Sequence, residues 1–188
     1  KFKGFQVAIG GFYIFNIGSS NLTHADPLTG QANRYEIGLY DVEDPSNKKD
    51  IDRLEEFYLK YSHGRGSIIL GRQLLNTPFI NLQDGRMRPT GVEGIYGEWK
   101  AHKKWTVEGG WLYAISPRST TRWFNVDESM GVYPSGVRAD GAKSQYHGNL
   151  TSAGAFQLGI HANPGKKLAL HGWDLFVENI FNAAMIQA

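Results

Sequence analysis

In the stretch KWTVEGGWLYA, residues 104–114, the polarity of the side chains alternates with a period of two residues. One set of positions holds apolar or small residues, namely Trp105, Val107, Gly109, Trp111 and Tyr113. The intervening set is mixed and consists of Thr106, Glu108, Gly110 and Leu112. Because successive side chains of a β-strand point to opposite faces, this period of two predicts a strand with one apolar face and not an amphipathic helix.

The same alternation recurs along the chain, for example in FQVAIGGFYIFNIG, FYLKYS and AFQLGIHA. It predicts about seven strands in an all-β, antiparallel fold. The strands are predicted at residues 3–17, 54–62, 67–75, 91–100, 104–115, 153–161 and 167–178. Two of them alternate less cleanly. SIILGRQLL has apolar residues on both faces, and LALHGWDLFVENIF changes phase near Trp173, as a β-bulge would produce.

The composition narrows the class of protein. With 188 residues, a net charge of +2 and 20% charged residues, the chain lacks the clustered basic charge of a nucleic-acid-binding domain. The absence of cysteine excludes a disulfide scaffold, a thiolate metal site and a cysteine nucleophile. The 23 glycines, 5 tryptophans, 9 tyrosines and 10 phenylalanines favour β-structure, in which aromatic rings pack on a pleated face.

The connections between the predicted strands alternate in length. Short turns lie at residues 63–66, 101–104 and 162–166, and long connections lie at 19–52, 76–90 and 117–152. This alternation places the tight turns at one end of the sheet and the long loops at the other. Outer-membrane barrels have this arrangement, with short periplasmic turns and long external loops. We therefore predict that residues 1–188 form part of a single transmembrane β-barrel domain.

The two faces of the predicted strands fit a barrel in lipid. Aromatic girdles are expected at both water interfaces, and their candidates are Tyr61, Trp99, Trp105, Tyr13 and Tyr113. The candidates for the opposite, lumen-facing side are Lys60, Glu98, Lys100 and Glu108. A soluble β-sandwich also alternates, but it has no reason to keep its tight turns at one end. Because about seven strands leave open edges, which lipid does not tolerate, we expect the chain to be a segment of a longer barrel.

The connection at residues 76–90 is longer than the usual link between neighbouring strands and carries several charges. It contains Asp84, Arg86, Arg88 and two prolines. We predict that it folds into the lumen and that these three charged residues line the pore constriction and contact solute. Alternatively, Asp84 and Arg86 only pin the loop to the wall by a salt bridge. Arg72 is a further candidate for solute contact, provided that the phase of its strand places it inward.

This part of the chain, LGRQLLNTPFINLQDGRMRPTGVEGIYGEW, resembles the OprD family of outer-membrane porins. The resemblance lies in Gly71 and Gln73, the Asn76-Thr77-Pro78 run, Asp84, Arg86 and Pro89, and it extends over about residues 54–116. Where the family pattern usually has two apolar residues, this chain has Met87 and Arg88. Arg88 could sharpen a preference for anions or could be solvated.

The resemblance implies a barrel of about 16–18 strands in the bacterial outer membrane. Such a porin passes small hydrophilic solutes, many of them carboxylates, along a lumenal row of arginines narrowed by inward-folded loops. The implied partners are the lipid bilayer, lipopolysaccharide and solutes, with a homotrimer or a larger envelope complex as the assembly. A second hypothesis is a non-conducting barrel that serves as an anchor or partner in an envelope complex.

Catalytic and metal-binding motifs do not emerge from the sequence. It has no G-x-S-x-G elbow and no H-E-x-x-H motif. His161 and His171 lie in adjacent predicted strands near one turn and could meet. Without a cysteine or a carboxylate at metal-ligand spacing, they are interpreted as lumen-facing or interfacial side chains. We predict no enzymatic activity, no cofactor, no metal site and no nucleic-acid partner.

Overall fold

The described residues form an antiparallel sheet with very little helix. The computed structural model describes residues 3–18, 24–25, 27–28, 30, 40–41, 43–44, 46–80, 82, 88–130, 132, 150–165 and 167–188. Its strands are β1 (Phe5–Ile14), β2 (Ile51–His63), β3 (Gly66–Gln73), β4 (Gly91–His102), β5 (Trp105–Ser116), β6 (Phe124–Asn125), β7 (Ala155–Gly165), β8 (Leu168–Val177) and β9 (Phe181–Gln187). One short helix, α1, spans Val126–Ser129. The prediction of an all-β, antiparallel fold is confirmed.

The sheet follows the chain order closely. The strands lie in the order β1-β2-β3-β4-β5-β7-β8-β9, and the short β6 pairs with the end of β5. Each neighbouring pair is antiparallel, as expected for strands joined by hairpin turns and returning loops. No helix in the described part of the chain is long and apolar enough to cross a membrane.

The end of the chain differs from the prediction. Residues 167–178 were predicted as one strand with a bulge near Trp173, and no strand was predicted beyond it. Instead, β8 ends at Val177, and a tight turn leads into β9, which pairs with β8 in an even register. Asn179 has a positive φ of 59° in this turn, and the Ile180 N–H donates to the carbonyl of Val177 over 3.0 Å. This short turn lies at the long-loop end, so the predicted alternation of short and long connections does not extend to it.

One face of the sheet carries a lateral row of large apolar side chains. Directly paired residues in antiparallel strands project to the same face. The pairing therefore aligns seven residues from seven strands: Val7, Leu59, Leu70, Ile95, Trp111, Phe156 and Phe176. Val7 is 70% exposed and Leu70 is 53% exposed. A row of this kind on an open face is what the lipid-facing side of a barrel requires.

The opposite face is covered by loop residues near the long-loop end. One buried cluster consists of Leu75, Val92, Tyr96 and Leu112, with Ile80 packed against it. A second consists of Val126, Ala155, Leu175 and Val177, with Phe79 and Met130 packed against it. Segments from two long connections therefore lie on this face, and their apolar side chains hold them there by burial.

Candidate functional site

The predicted lumen-facing residues share the face opposite the apolar row. Lys60 pairs with Ile69, and Ile69 pairs with Tyr96, so these three side chains project to one side. Glu98 pairs directly with Glu108, and the Tyr96 hydroxyl donates to Glu108 Oε2 over 2.9 Å. The strand period puts Lys100 on the same side as Glu98, and its Nζ lies 3.6 Å from Glu98 Oε1. We refer to this side, which is predicted to face the lumen, as the lumenal face.

A chain of hydrogen bonds crosses four strands on the lumenal face. The Glu108 carboxylate on β5 joins Tyr96 on β4 to His161 on β7, whose Nε2 lies 2.7 Å from Glu108 Oε1. The Nδ1 atom of His161 in turn lies 2.7 Å from Nδ1 of His171, its direct partner on β8. We name Tyr96, Glu108, His161 and His171 the polar row. Sequence reasoning brought the two histidines together and named Glu108 as lumen-facing, but it did not connect Glu108 with His161, which lies 53 residues further along the chain.

Glycines opposite the polar row make room for it. Tyr96 is paired with Gly110 on β5, and Glu108 is paired with Gly159 on β7, so each side chain has a glycine as its direct partner on one of its two neighbouring strands. The ring of Trp173 lies over Gly159, where an added Cβ would come within 2.6 Å of it. Trp173 also makes an edge contact with His161, with ring centroids 4.9 Å apart. The glycines therefore leave space beside the polar row, and the indole of Trp173 packs against its His161 side chain.

At the long-loop end, Arg88 joins three long connections. Its guanidinium donates to the carbonyls of Tyr40 and Ser119, the latter over 2.7 Å. Arg88 itself is only 1% exposed. The structure therefore corrects both expectations for this residue, solute contact and solvation, because burial withholds it from solute and water alike. A buried guanidinium requires hydrogen-bond acceptors, and here backbone carbonyls provide them.

Arg53 lies beside Arg88 and was missed in the sequence, because the predicted strand began one residue later. It is 3% exposed, and it donates to Ser116 Oγ over 2.9 Å and to the Pro89 carbonyl over 2.6 Å. Both guanidinium groups lie near the Phe12 ring, at 5.3 Å for Arg53 and 5.2 Å for Arg88. This arrangement allows favourable cation–π contacts with one ring. We name Phe12, Arg53 and Arg88 the mouth cluster.

Arg72 was predicted to face the lumen, and this prediction is wrong. The register pairs Arg72 with Phe57 and Glu93, which puts it on the side of the apolar row. Its Nε donates to Glu93 Oε2 over 2.9 Å, and its guanidinium lies 4.7 Å from the Trp123 ring. The SIILGRQ pattern is apolar on both faces, so the phase of this strand could not be read from the sequence.

The segment at 76–90 folds toward the lumenal face where the structure describes it. The Thr77 hydroxyl accepts from the Ile80 N–H over 3.0 Å, which closes a tight turn around Pro78. This turn directs Phe79 and Ile80 into the two buried clusters on the lumenal face. Asp84 and Arg86 lie outside the described residues, so their predicted role at the constriction stays a prediction.

The predicted girdle residues lie at the surface. Exposed fractions are 37% for Tyr61, 59% for Trp99, 49% for Trp105, 54% for Tyr13 and 43% for Tyr113. The pairing puts Tyr61 opposite Ile68, and Trp99 opposite Val107, on the side of the apolar row. The position of these rings at the water interfaces of a bilayer stays a prediction.

The fold has close counterparts among solved structures. A BenF-like porin from Pseudomonas fluorescens Pf-5 matches with a TM-score of 0.67 and 16% identity, over 97% of this chain and 40% of its own. OccAB3 from Acinetobacter baumannii matches with a TM-score of 0.69, 16% identity and the same two shares. OpdK from Pseudomonas aeruginosa, solved with vanillate, gives 0.61 and 16%, over 97% and 41%. The fold is that of part of an OprD/Occ porin barrel.

The similarity to these porins concerns the fold and covers part of their length. No family model matches the sequence, and no curated protein matches it. The chain spans about 40% of the length of the porins above. The prediction that it forms part of a larger transmembrane barrel of the OprD type is therefore confirmed for the fold. The predicted location, the bacterial outer membrane, agrees with that fold.

Proposed function

We propose that this chain is part of an outer-membrane porin through which small hydrophilic solutes diffuse passively. The observation that carries the proposal is the packing of Phe79, Ile80 and Val126 onto the lumenal face. These side chains come from two long connections and occupy space inside the curve of the sheet. Further along the same face, Lys60 and Glu108 provide a polar lining, as a wet lumen requires.

The mechanism needs no covalent chemistry. A solute entering the barrel exchanges part of its hydration shell for contacts with the lumenal wall. The charges at the narrow zone, where the long connections pack onto the lumenal face, decide which solutes make this exchange at a low cost in free energy. In this proposal the mouth cluster keeps the narrow zone at a fixed width, because Arg53 and Arg88 bind loop carbonyls. The neighbouring porins are not enzymes, and the absence of catalysis stays a prediction for this chain.

A preference for carboxylate solutes is the finer part of the proposal. It is supported by the resemblance in the 76–90 segment and by the solved structure of OpdK with vanillate, which is an aromatic carboxylate. Arg86 is the cation expected to contact the solute, with Asp84 fixing the loop beside it. Arg72 and Arg88 are no longer expected to contact solute. Contacts with lipopolysaccharide, and assembly as a homotrimer or a larger envelope complex, are further parts of the proposal.

Ion selectivity in a planar bilayer tests the proposal. The intact protein would be compared with Arg86→Ala, and reversal potentials would be measured in a salt gradient. Arg65→Ala is the matched control, because it removes the same charge at a short turn, where Arg65 donates to the Ala101 carbonyl over 3.4 Å. We expect anion preference to fall in Arg86→Ala and to stay at the wild-type value in Arg65→Ala.

The other outcomes separate the alternatives. Channels whose selectivity is the same in both variants would keep the porin but place its filter elsewhere in the lumen. An inserted barrel without conductance would contradict the porin and favour the non-conducting anchor.

A further inference from the structure

We propose that His161 and His171 form a lumenal binding site for a divalent transition-metal ion of the class that prefers imidazole, such as Zn²⁺. The two residues are direct partners on β7 and β8, and their Nδ1 atoms face each other at 2.7 Å. Imidazole nitrogen is a preferred ligand for Zn²⁺, Cu²⁺ and Ni²⁺, whereas Ca²⁺ and Mg²⁺ prefer oxygen. The inference concerns metal binding and does not require the barrel to conduct.

The Glu108 carboxylate fixes which nitrogen of His161 is available. A carboxylate only accepts hydrogen bonds, so the nitrogen 2.7 Å from it, Nε2, carries the hydrogen. In the neutral ring the lone pair therefore lies on Nδ1, which is directed at His171. In the metal-free site the hydrogen between the two rings belongs to His171 Nδ1. When a metal binds, that hydrogen moves to His171 Nε2 through water, and both neutral rings present a lone pair to the ion.

The approach of the two nitrogens suits a metal after a small adjustment. Zn–N bonds of about 2.0–2.1 Å at a tetrahedral angle put the two nitrogens about 3.3 Å apart. The rings would therefore separate by about 0.6 Å, which side-chain rotation provides without a change in strand pairing. Among the residues that the structure describes, no group of three or more His, Cys, Asp or Glu side chains could hold a metal ion, so the two histidines are the protein ligands of the proposed site. Water would thus complete the coordination shell, as in open zinc sites.

The surroundings of the pair resemble the outer shell of a metal site. A ligating histidine commonly donates its second N–H to a carboxylate, which orients the ring and raises its basicity. Glu108 supplies this carboxylate, and the Tyr96 hydroxyl holds its other oxygen. Trp173 packs against one side of His161. The side chains of His161 and Glu108 are 17% and 22% exposed, so an ion can reach the pair from the lumen.

A bound ion would change the charge of the lumen. Glu108 balances one positive charge in the polar row, so a divalent ion leaves an excess of positive charge near the wall. If the barrel conducts as proposed above, Zn²⁺ should shift its selectivity toward anions. This consequence rests on the proposed function, whereas the binding itself does not.

The test is equilibrium binding of Zn²⁺ to the intact protein in detergent. We expect one site in the wild type, at least tenfold weaker binding in His161→Ala and in His171→Ala, and about tenfold weaker binding in Glu108→Gln. His102→Ala is the matched control, since His102 is exposed at the end of β4, and it should bind as the wild type does. Ca²⁺ in excess should not displace Zn²⁺.

Wild-type-like Zn²⁺ affinity in the double variant of His161 and His171 would overturn the inference. X-ray absorption of Zn²⁺ on the wild type keeps the test independent of variant folding. Two imidazole ligands would support the site, and a shell of oxygen alone would contradict it. Because binding is measured in detergent, it is independent of conductance. A protein that binds Zn²⁺ without conducting would contradict the proposed porin and support the metal site. A protein that conducts without binding Zn²⁺ would support the porin and contradict the metal site.

Discussion

Arg53 on β2 donates a hydrogen bond to Ser116 Oγ on β5 over 2.9 Å, although 63 positions separate the two residues. The bond passes over the ends of β3 and β4, and the same guanidinium also donates to the carbonyls of Pro89 and Thr120. Arg53 thus ties the second and third long connections to the wall of the barrel. Its sequence position gives no hint of this role, which depends on the curvature of the sheet.

The mouth cluster should contribute strongly to the order of the loops. Arg53→Ala leaves buried carbonyls without a donor, and each such group costs about 1–3 kcal/mol. We expect a lower melting temperature and faster proteolysis within the long connections. Arg122→Ala is the control, because the Arg122 side chain is 68% exposed in its ion pair with Glu43, and a surface ion pair is worth about 0–1 kcal/mol. Equal effects of the two substitutions would contradict the proposed role of Arg53.

The absence of a side chain at Gly159 should be essential for the packing of Trp173 beside the polar row. A Cβ at this position would lie 2.6 Å from the Trp173 ring, so Gly159→Ala must displace the indole or the strand. Overpacking of this kind costs about 1–3 kcal/mol, and we expect the free energy of unfolding to fall by that amount. Gly172→Ala is a matched control in the adjacent strand, where an added Cβ meets no atom within 4 Å. Trp173 fluorescence should change in Gly159→Ala and remain constant in Gly172→Ala.

The ends of β1 and β2 are joined by Asp50, and this junction should be sensitive to acid. The Asn16 N–H and the Tyr13 hydroxyl each donate to its carboxylate over 2.8 Å. These hydrogen bonds, that of Asn16 first, lower the pKa of Asp50 below its ordinary value of 3.8. A lowered pKa means that the stabilisation is complete above the ordinary value and is lost as the pH falls through the value in the folded protein.

The acid response can be measured on the Asn16 amide. We expect its protection from hydrogen exchange to persist at pH 5 and to decrease only below about pH 4, the range in which an ordinary aspartate is already being protonated. Asp50→Ala should abolish this protection at every pH, while Asp52→Asn should leave it in place. Protection that is lost already near neutral pH would contradict the assignment.

The sequence was informative where a single physical rule governs the outcome. Strand alternation placed Lys60 and Glu108 together on the face opposite the apolar row because their strands are apolar on one side only. It failed for Arg72, because β3 carries apolar residues on both sides and tertiary pairing alone decides its phase. It missed β9 because the turn contains a single turn-favouring residue, Asn179, and neither glycine nor proline.

The contacts within the site could be predicted from the sequence less well than the strands. The bond between Glu108 and His161 requires that β5 and β7 be neighbours, although a long connection and β6 separate them along the chain. The burial of Arg88 requires Tyr40 and Ser119 to meet it from two other connections. Both depend on long-range pairing, which a local pattern does not encode.

The inward position of Phe79 leads to a last prediction about the width of the pore. Phe79 packs against the cluster that contains Val126 and Leu175, so it fills space on the lumenal face. Replacing it with alanine removes a large side chain and loosens the hold of the 76–80 turn on the wall. We expect Phe79→Ala to raise single-channel conductance and to admit larger neutral solutes in a liposome-swelling assay.

Phe5→Ala is the control for this change, since Phe5 is 51% exposed on the side of Tyr61 and loses the same ring away from the lumen. Its conductance should equal that of the wild type. Conductance that is the same in Phe79→Ala as in Phe5→Ala would mean that the 76–80 turn does not limit the passage of solutes. The constriction would then have to come from the wall or from another connection.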